Sequence, residues 1–213
     1  NKKVIDFLIE GGLDGILVLG SAGEFPDLNE QERLDFFRFY AEYVNGRVEL
    51  LAGTGCIRYA DTLALSNAVY ELGYTPMVIS PYYFEMDQEK LFVYYDRLAK
   101  DVKGDLYLYN FPPRTGHSIA PETIRRLIDV NPNIIGLKDS VSTPGHTNMV
   151  CRAVEGKPFT VYSGFDDQFL SNIANNGGGG CIGALSIIVP EIWSSLVKAA
   201  NERDFDRTFA LYH

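Results

Sequence analysis

Short apolar runs alternate with longer amphipathic segments along the whole chain. Seven runs have the length and the Val, Ile, Leu and Tyr content of β-strands: Gly15–Leu19, Val48–Ala52, Met77–Ser80, Leu106–Tyr109, Ile134–Lys138, Thr160–Ser163 and Cys181–Leu185. Eight segments have the spacing of helices: Lys3–Glu10, Glu30–Tyr43, Ala60–Leu72, Gln88–Lys100, Pro121–Val130, Pro144–Val154, Gln168–Asn175 and Glu191–Asn201. Asn29, directly before Glu30, and Pro121 indicate helix starts.

Strict alternation of strands and helices predicts a parallel sheet covered by helices. No linker or shift in composition divides the chain, so residues 1–213 are expected to form a single domain. An open doubly wound sheet has the same alternation. We favour a TIM (β/α)8 barrel because polar residues recur just after the strands, where a barrel forms one site. Seven strands are visible, and the segment Lys3–Glu10 has none before it, so the first strand is expected upstream of Asn1.

Composition and charge narrow the range of partners. The chain is 46% hydrophobic and 22% charged, with a net charge of −9, which argues against a nucleic-acid-binding surface. No apolar run has the length of a transmembrane helix, so no membrane contact is expected. The three cysteines are widely spaced and form no CxxC pair, which indicates a reducing, cytoplasmic location.

Two reactive side chains end consecutive strands. Strand alternation places Tyr109 and Tyr107 on one face, and Lys138 and Gly136 on one face of the next strand. Neighbouring strands lie about 4.8 Å apart, so the phenol and the amine are expected to meet at the rim. A buried lysine is uncommon, and desolvation frees its amine to attack carbonyl groups. Gly136 is expected to leave room there for a bound molecule.

A small-residue turn follows the first visible strand. In the stretch Gly20–Glu24, which includes Ser21 and Ala22, the small side chains let backbone N–H groups approach a ligand closely. A nest of such donors suits a carboxylate, although a plain turn between strand and helix has the same composition.

Four motifs lie one at each of four strand ends: Gly20-Ser-Ala-Gly-Glu24, Ser80-Pro-Tyr-Tyr83, Tyr109-Asn-Phe-Pro112 and Gly136-Leu-Lys-Asp139. In this order they resemble the motifs of one known family, the dihydrodipicolinate synthase and N-acetylneuraminate lyase superfamily. The resemblance covers essentially the whole chain. It implies a (β/α)8 barrel, a homotetramer, a further C-terminal helical segment and a longer whole protein. It also implies no cofactor or metal, because the chemistry uses a covalent imine.

The resemblance also implies roles for individual residues. Lys138 would form the imine with pyruvate, and Tyr109 would be the general acid and base. Ser21 would relay protons to that tyrosine, and Tyr83 would complete the relay across a subunit interface. The backbone N–H groups of Ser21 and Ala22 would hold the pyruvate carboxylate. Gly164 and Ile182 would line the pocket.

The motifs imply different second substrates, because some residues resemble one branch of the family and others resemble another. Arg114 resembles the arginine with which dihydrodipicolinate synthases bind the carboxylate of aspartate semialdehyde, and a guanidinium suits a carboxylate. Ala22, Phe111 and Asp139 resemble instead the 2-keto-3-deoxy sugar-acid aldolases. The synthase reaction, pyruvate with aspartate semialdehyde, is the primary prediction. The sugar-acid aldolase is the alternative, and a non-catalytic barrel that binds 2-oxo acids is a third.

Other polar residues are given structural interpretations. Asp166 and Asp167 are expected to cap a helix rather than bind metal. Residues 177–180, four glycines, are expected to form a turn before the last strand. His117 and His146 lie in loops at unrelated spacing and form no metal cluster. His117 follows Arg114 closely, which would let it reach the substrate, but a surface or packing role is favoured for it.

Overall fold

A computed structural model describes residues 1–213 as one curled parallel sheet with helices outside it. Spatial order follows chain order: β1 (Gly15–Val18), β2 (Glu49–Gly53), β3 (Thr75–Ile79), β4 (Leu106–Asn110), β5 (Ile134–Asp139), β6 (Thr160–Ser163) and β7 (Gly178–Cys181). The helices are α1 (Lys2–Glu10), α2 (Glu30–Val44), α3 (Tyr59–Tyr70), α4 (Gln88–Asp101), α5 (Pro112–Thr115), α6 (Pro121–Val130), α7 (Pro144–Ala153), α8 (Phe169–Ile173), α9 (Pro190–Asn201) and α10 (Phe205–Tyr212). This arrangement confirms the predicted TIM barrel architecture, with seven strands.

The central strands are buried on both faces, as parallel strands between helices and a barrel interior should be. Every residue of β4 is buried. Its leucines, Leu106 and Leu108, pack outward against α4, α6 and α7. Its tyrosines, Tyr107 and Tyr109, belong to a second cluster that includes the interior side of the sheet. The alternation predicted for this strand is therefore confirmed, and it points Tyr109 toward the interior.

The helix starts follow their sequence signals. At α2 the Asn29 side chain accepts from the Glu32 N–H at 3.1 Å, and the Glu32 carboxylate accepts from the Asn29 N–H at 2.8 Å. This reciprocal pair satisfies two backbone donors that the first turn leaves unpaired. Pro121 is the first residue of α6, where its missing N–H costs nothing. None of the ten helices is long and apolar enough to cross a bilayer.

The last strand differs from the prediction. β7 is the glycine run itself, Gly178–Cys181, and Leu185–Ile187 forms a 3-10 turn. The Asn172 side chain explains the shift, because it donates to the Val161 carbonyl at 2.9 Å and accepts from the Gly180 N–H at 2.8 Å. One amide thus joins β6 to the glycine segment. Sequence periodicity missed this strand because glycine has no apolar side chain to mark it.

Candidate active site

Lys138 and Tyr109 lie side by side where β5 and β4 end. The two residues are register partners in the parallel ladder. The Lys138 Nζ atom lies 4.8 Å from the centre of the Tyr109 ring, and the lysine is only 8% exposed. A cation over an aromatic face is attracted by the ring quadrupole, which holds the amine in this position. The structure therefore brings these two predicted residues together.

The Lys138 amine is activated by its surroundings. Burial lowers its pKa from 10.5 to about 8, although negative charge at Cys181 or Asp166 would raise it. Burial also raises the pKa of the Cys181 thiol to about 11, so this thiol is neutral where the amine titrates. About one amine in ten is then unprotonated at pH 7, against fewer than one in a thousand for an ordinary lysine. The unprotonated amine is the form that attacks a carbonyl carbon.

Tyr109 is linked to the end of β1 through a hydroxyl pair. The Ser21 Oγ and Tyr109 Oη atoms are 3.2 Å apart, and either can donate. Burial raises the pKa of the Tyr109 phenol, while hydrogen bonding to Ser21 and Ser140 opposes that shift. The phenol therefore keeps its proton at neutral pH and can pass it along the chain of hydroxyls.

The turn that carries Ser21 offers backbone donors. Ser21–Gly23 forms a 3-10 turn between two residues in the left-handed region, Leu19 at φ 55° and Glu24 at φ 53°. Within the chain the Ser21 and Ala22 N–H groups donate to no acceptor. Two adjacent free N–H groups can donate hydrogen bonds to a bound carboxylate. Gly53 supports the turn from β2, since a Cβ there would lie 2.1 Å from the Leu19 carbonyl oxygen.

The sequence predicted that Gly136 leaves room for a bound molecule, and this prediction is wrong. A Cβ on this residue would lie 2.4 Å from the Tyr107 ring and 2.6 Å from the Thr160 carbonyl oxygen. The space beside Gly136 is therefore filled by the aromatic ring of Tyr107. Strand parity placed the two residues on the same side of the sheet, but it could not reveal that the large side chain of one packs over the other.

Arg114 lies on α5, directly after β4. It is exposed and forms no salt bridge within the chain, and its guanidinium carbon lies 5.8 Å from the centre of the Phe111 ring. Phe111 in turn stacks nearly parallel to Tyr109, with ring centres 5.8 Å apart. The arginine therefore connects with the Tyr109 and Lys138 pair through one aromatic ring, and its charge is available to a ligand.

Of the three other predicted site residues, Gly164 and Ile182 are hydrogen-bonded at the strand ends, whereas Tyr83 is exposed. Gly164 donates its N–H to the Asp139 carbonyl at 2.9 Å, just beyond β6. Ile182 donates to the Ser163 carbonyl at 2.9 Å and packs against the cluster that contains Tyr109. Tyr83 is 82% exposed with φ 84° and makes no hydrogen bond to Ser21 or Tyr109 within the chain. Its contact with the site of a second subunit stays a prediction.

Asp166, the first of the two acidic residues after β6, caps a turn other than the expected one. The Asp166 carboxylate accepts from the Ala184 N–H at 3.1 Å and the Leu185 N–H at 3.2 Å. It therefore holds the segment after β7 and caps no helix of its own, because the turn that contains it has no side-chain cap. Asp166 also lies close enough to Lys138 to affect its pKa.

Sequence reasoning missed a polar network on the outer side of the same strands. Asn110 and Asp139 follow Tyr109 and Lys138 and are also register partners. The fully buried Asp139 carboxylate accepts from the Asn110 amide at 2.8 Å and the Thr147 hydroxyl at 2.7 Å, and pairs with His146 at 2.9 Å. Parity could have found the first two residues, since polar side chains on an outward, helix-covered face need partners.

Comparison with known proteins identifies the family to which the chain is similar. The sequence model of the Dihydrodipicolinate synthetase family matches residues 1–213. The putative 2-dehydro-3-deoxy-D-gluconate aldolase YagE of Escherichia coli K12 is 37% identical over 213 residues, which span 99% of this chain and 70% of the relative. The 4-hydroxy-tetrahydrodipicolinate synthase of Kosmotoga olearia is 35% identical over 208 residues, 96% of this chain and 70% of the relative.

A solved structure agrees with these sequence matches. The crystal structure of YagE from Escherichia coli K12 in complex with pyruvate superposes with a TM-score of 0.95 at 34% identity, covering 99% of this chain and 72% of that one. Fold, sequence and relatives thus point to the same enzymes. The chain belongs to the dihydrodipicolinate synthetase family, the pyruvate-dependent class I lyases that fold as TIM barrels.

Proposed function

We propose that Lys138 is the residue that forms the imine with pyruvate. One observation carries this assignment: a buried amine with a pKa of about 8 lies against Tyr109, which shares a hydrogen bond with Ser21. The combination supplies a nucleophile and a proton relay at one strand end. The complex of YagE with pyruvate supports the same substrate for this chain.

The residues have separate tasks in the proposed reaction. The Lys138 amine attacks C2 of pyruvate, and the carbonyl oxygen takes up a proton that Tyr109 supplies. Loss of water from the carbinolamine leaves a protonated imine. This imine is an electron sink, so removal of a proton from C3 gives an enamine. The enamine carbon then attacks an aldehyde, and hydrolysis of the resulting imine releases the product and regenerates the amine.

Backbone donors hold the substrate during these steps. The free N–H groups of Ser21 and Ala22 bind the pyruvate carboxylate and keep C2 next to Lys138. Gly164 and Ile182 border the pocket on the side of β6 and β7. No metal or organic cofactor takes part, since the protonated imine provides the activation.

The second substrate in this proposal is an aldehyde that carries a carboxylate. Arg114 has no acidic partner within the chain and lies beside Phe111, whose ring stacks on Tyr109. Its planar guanidinium can bind a carboxylate through two hydrogen bonds. This favours a reaction of the dihydrodipicolinate synthase type, between pyruvate and aspartate semialdehyde.

A 2-keto-3-deoxy sugar-acid aldolase is the second candidate. Ala22 lacks the hydroxyl that the synthases usually have at this point, and Phe111 and Asp139 match the sugar-acid aldolases. The 37% identity to YagE, a putative aldolase of that class, supports the same candidate. Imine chemistry at Lys138 is common to both reactions, and only the aldehyde differs.

Trapping of the imine tests the central assignment. Borohydride with pyruvate should leave a stable mass increment on the Lys138 peptide, found by mass spectrometry. Lys138→Ala should abolish both the adduct and turnover, and Lys138→Arg should not restore them, because a guanidinium does not form the imine. Lys157→Arg, on the surface, is the matched control. An adduct on another lysine would refute the assignment. Hydrogen exchange at pyruvate C3 would separate an enzyme from a barrel that merely binds 2-oxo acids.

Kinetics with a panel of aldehydes test the second substrate. With pyruvate saturating, aspartate semialdehyde, glyceraldehyde, glycolaldehyde and N-acetylmannosamine are compared. Arg114→Ala should raise the KM for aspartate semialdehyde by roughly tenfold or more, because a charge-assisted hydrogen bond is lost. The KM for pyruvate should change little. Equal changes in both KM values, or a preference for a sugar aldehyde, would favour the second candidate.

A further inference from the structure

The segment from Phe111 to Ile119, here called the Arg114 segment, needs contacts from outside itself to stay in place. It contains only one short helix, α5, and its two prolines have no N–H to donate. Arg114 itself is exposed. The fixed points lie at the end of the segment, where His117 is buried and the Ile119 N–H donates to the Asn110 side chain at 3.0 Å.

His146, on α7, contacts the end of the segment with one ring nitrogen and β5 with the other. Its Nδ1 atom lies 2.9 Å from the Asp139 carboxylate, and its Nε2 atom lies 3.1 Å from the Ile119 carbonyl oxygen. Both partners are acceptors, and a neutral imidazole has only one N–H. The Ser118 hydroxyl, 3.4 Å from Nε2, can donate to a neutral ring, but the Ile119 carbonyl at 3.1 Å cannot. Asn110 and Thr147 donate to the same carboxylate, so it remains an acceptor. Both contacts are satisfied only when His146 is an imidazolium.

His117 has the opposite requirement. The Met86 backbone N–H donates to its Nδ1 atom at 3.3 Å, so that nitrogen carries no hydrogen. Its Nε2 atom lies 2.9 Å from the Ser80 hydroxyl, which can accept from it. Protonation of Nδ1 would bring two donors face to face. The Arg114 segment is therefore fastened to the end of β3 and the following loop by a neutral imidazole.

The charged and titratable neighbours agree with these two states. Burial lowers the pKa of His117, and Glu85, from the loop before α4, opposes the shift. Burial also acts to lower the pKa of His146, but the hydrogen bond and charge of Asp139, with Glu122 on α6, raise it overall. The other titratable groups nearby are neutral: Cys151 beside Asp139 has a pKa of about 11, and the pKa of Tyr95, beside Ser80, is far above 10.

We propose that His117 and His146 are positioning residues that hold the Arg114 segment in opposite protonation states, His117 as a neutral imidazole and His146 as an imidazolium. The link to substrate rests on the proposed function, in which Arg114 binds the aldehyde carboxylate. The contact of His146 is complete below pH 6.5 and is lost as the pH rises through its raised pKa. The contact of His117 is complete above pH 6.5 and is lost as the pH falls through its lowered pKa.

Both contacts coexist only between the two pKa values, so recognition of the aldehyde should have a bell-shaped pH dependence. The KM for the aldehyde should be lowest in this window and rise by about tenfold outside it, the effect of losing one hydrogen bond to a charged group. Capture of pyruvate should not follow the same curve. Lys138, Tyr109 and Ser21 lie on β5, β4 and the turn after β1, outside the Arg114 segment.

Nitrogen NMR of the histidine rings tests the protonation states without any assay of activity. The chain has three histidines, so His117→Gln, His146→Gln and His213→Gln variants assign every signal. At pH 6.5 we expect His146 to be doubly protonated and His117 to be neutral with its hydrogen on Nε2. A neutral His146, or a His117 protonated on Nδ1, would overturn the proposal. The wild-type spectrum decides this even if a variant does not fold.

Kinetics between pH 5.5 and 8.5 test the positioning role. His146→Gln should remove the rise in aldehyde KM on the alkaline side, and His117→Gln the rise on the acid side. His213→Gln should behave as wild type. In Arg114→Ala the aldehyde KM should rise on neither the acid nor the alkaline side. A wild-type aldehyde KM that does not change with pH would refute the role, even with the expected NMR states. Borohydride trapping with pyruvate is run alongside: absence of a Lys138 adduct would defeat the proposed function but leave the NMR result to decide the histidine states.

Discussion

Lys138 combines a buried position with a thiol neighbour, Cys181, and a carboxyl neighbour, Asp166. Its pKa of about 8 results from burial, and a negative charge on either neighbour would raise it. Cys181 is neutral at this pH because burial raises its own pKa to about 11. Asp166 is therefore the neighbour whose charge would raise the pKa of Lys138 and favour its ammonium form.

This difference predicts how two variants shift the pH dependence of imine formation. In wild type, the rate of trapping by borohydride should rise with pH and reach half its maximum near pH 8, because only the neutral amine reacts. Asp166→Asn should move that midpoint to lower pH, since a negative charge that favours the ammonium is removed. Cys181→Ser, the matched control, should leave the midpoint in place. An unchanged midpoint in Asp166→Asn would contradict this account.

Close backbone contacts between strands of the barrel determine the position of the turn that carries Ser21 and Ala22. β2 approaches the end of β1 so closely at Gly53 that a side chain would overlap the Leu19 carbonyl group. Leu19 itself has a positive φ, which directs the chain into the turn that carries Ser21 and Ala22. The position of the Ser21 and Ala22 amides, which we propose bind pyruvate, thus depends on a glycine in a neighbouring strand.

Gly53→Ala is the variant that tests this dependence. The added methyl group should displace Leu19, lower the free energy of unfolding by about 1–3 kcal/mol and raise the KM for pyruvate. Gly145→Ala is the control, because a Cβ there would meet nothing nearer than 3.8 Å and the site lies in the first turn of α7. Urea unfolding and initial rates measure both effects. A normal KM in a destabilised Gly53→Ala variant would limit the glycine to a role in stability.

Strand alternation and turn composition could predict much at the scale of elements, and they failed where glycine or long-range contacts decide. The inward placement of Tyr109 and Lys138 followed from parity and is confirmed. The strand Gly178–Cys181 was missed, because the amide of Asn172 defines it rather than an apolar pattern. Periodicity also gave no sign that Tyr107 covers Gly136.

The histidines show a related limit. His117 was expected to be a surface or packing residue and His146 to lie in a loop, because sequence spacing reveals no partner for either. The structure buries His117 and places His146 in the first turn of α7. Their partners come from other strands and loops, and only the folded chain brings them together. The chemistry at the strand ends could be predicted from local motifs, whereas the network that supports it could not.

The whole molecule presents two large aromatic side chains to solvent at the rim of the site. Tyr83 and Phe84 are 82% and 69% exposed and contact each other edge to face, with ring centres 4.9 Å apart. An exposed aromatic pair is typical of a surface that binds another protein. A homotetramer in which Tyr83 reaches the site of a neighbouring subunit stays our prediction for this surface.

Two substitutions at Tyr83 separate assembly from proton relay. Tyr83→Phe should keep the oligomer in sedimentation velocity but lower kcat, because only the hydroxyl is lost. Tyr83→Ser should weaken assembly as well, since the aromatic surface predicted to be buried between subunits is lost. Tyr70→Phe, on α3, is a control for the loss of an exposed phenol. A monomeric wild-type protein, or a Tyr83→Phe variant with full kcat, would contradict the prediction.

The matched registers of β4 and β5 make the site depend on the count of residues within a strand. Tyr109 faces Lys138 on the inside, and Asn110 faces Asp139 on the outside. A slip of β5 by one residue would present a carboxylate to the phenol and push the amine among the outer helices. Insertions in the loops would leave this order intact. Variation of this enzyme should therefore be tolerated between its strands and be lethal to catalysis within β5, where one position separates a nucleophile from an anion.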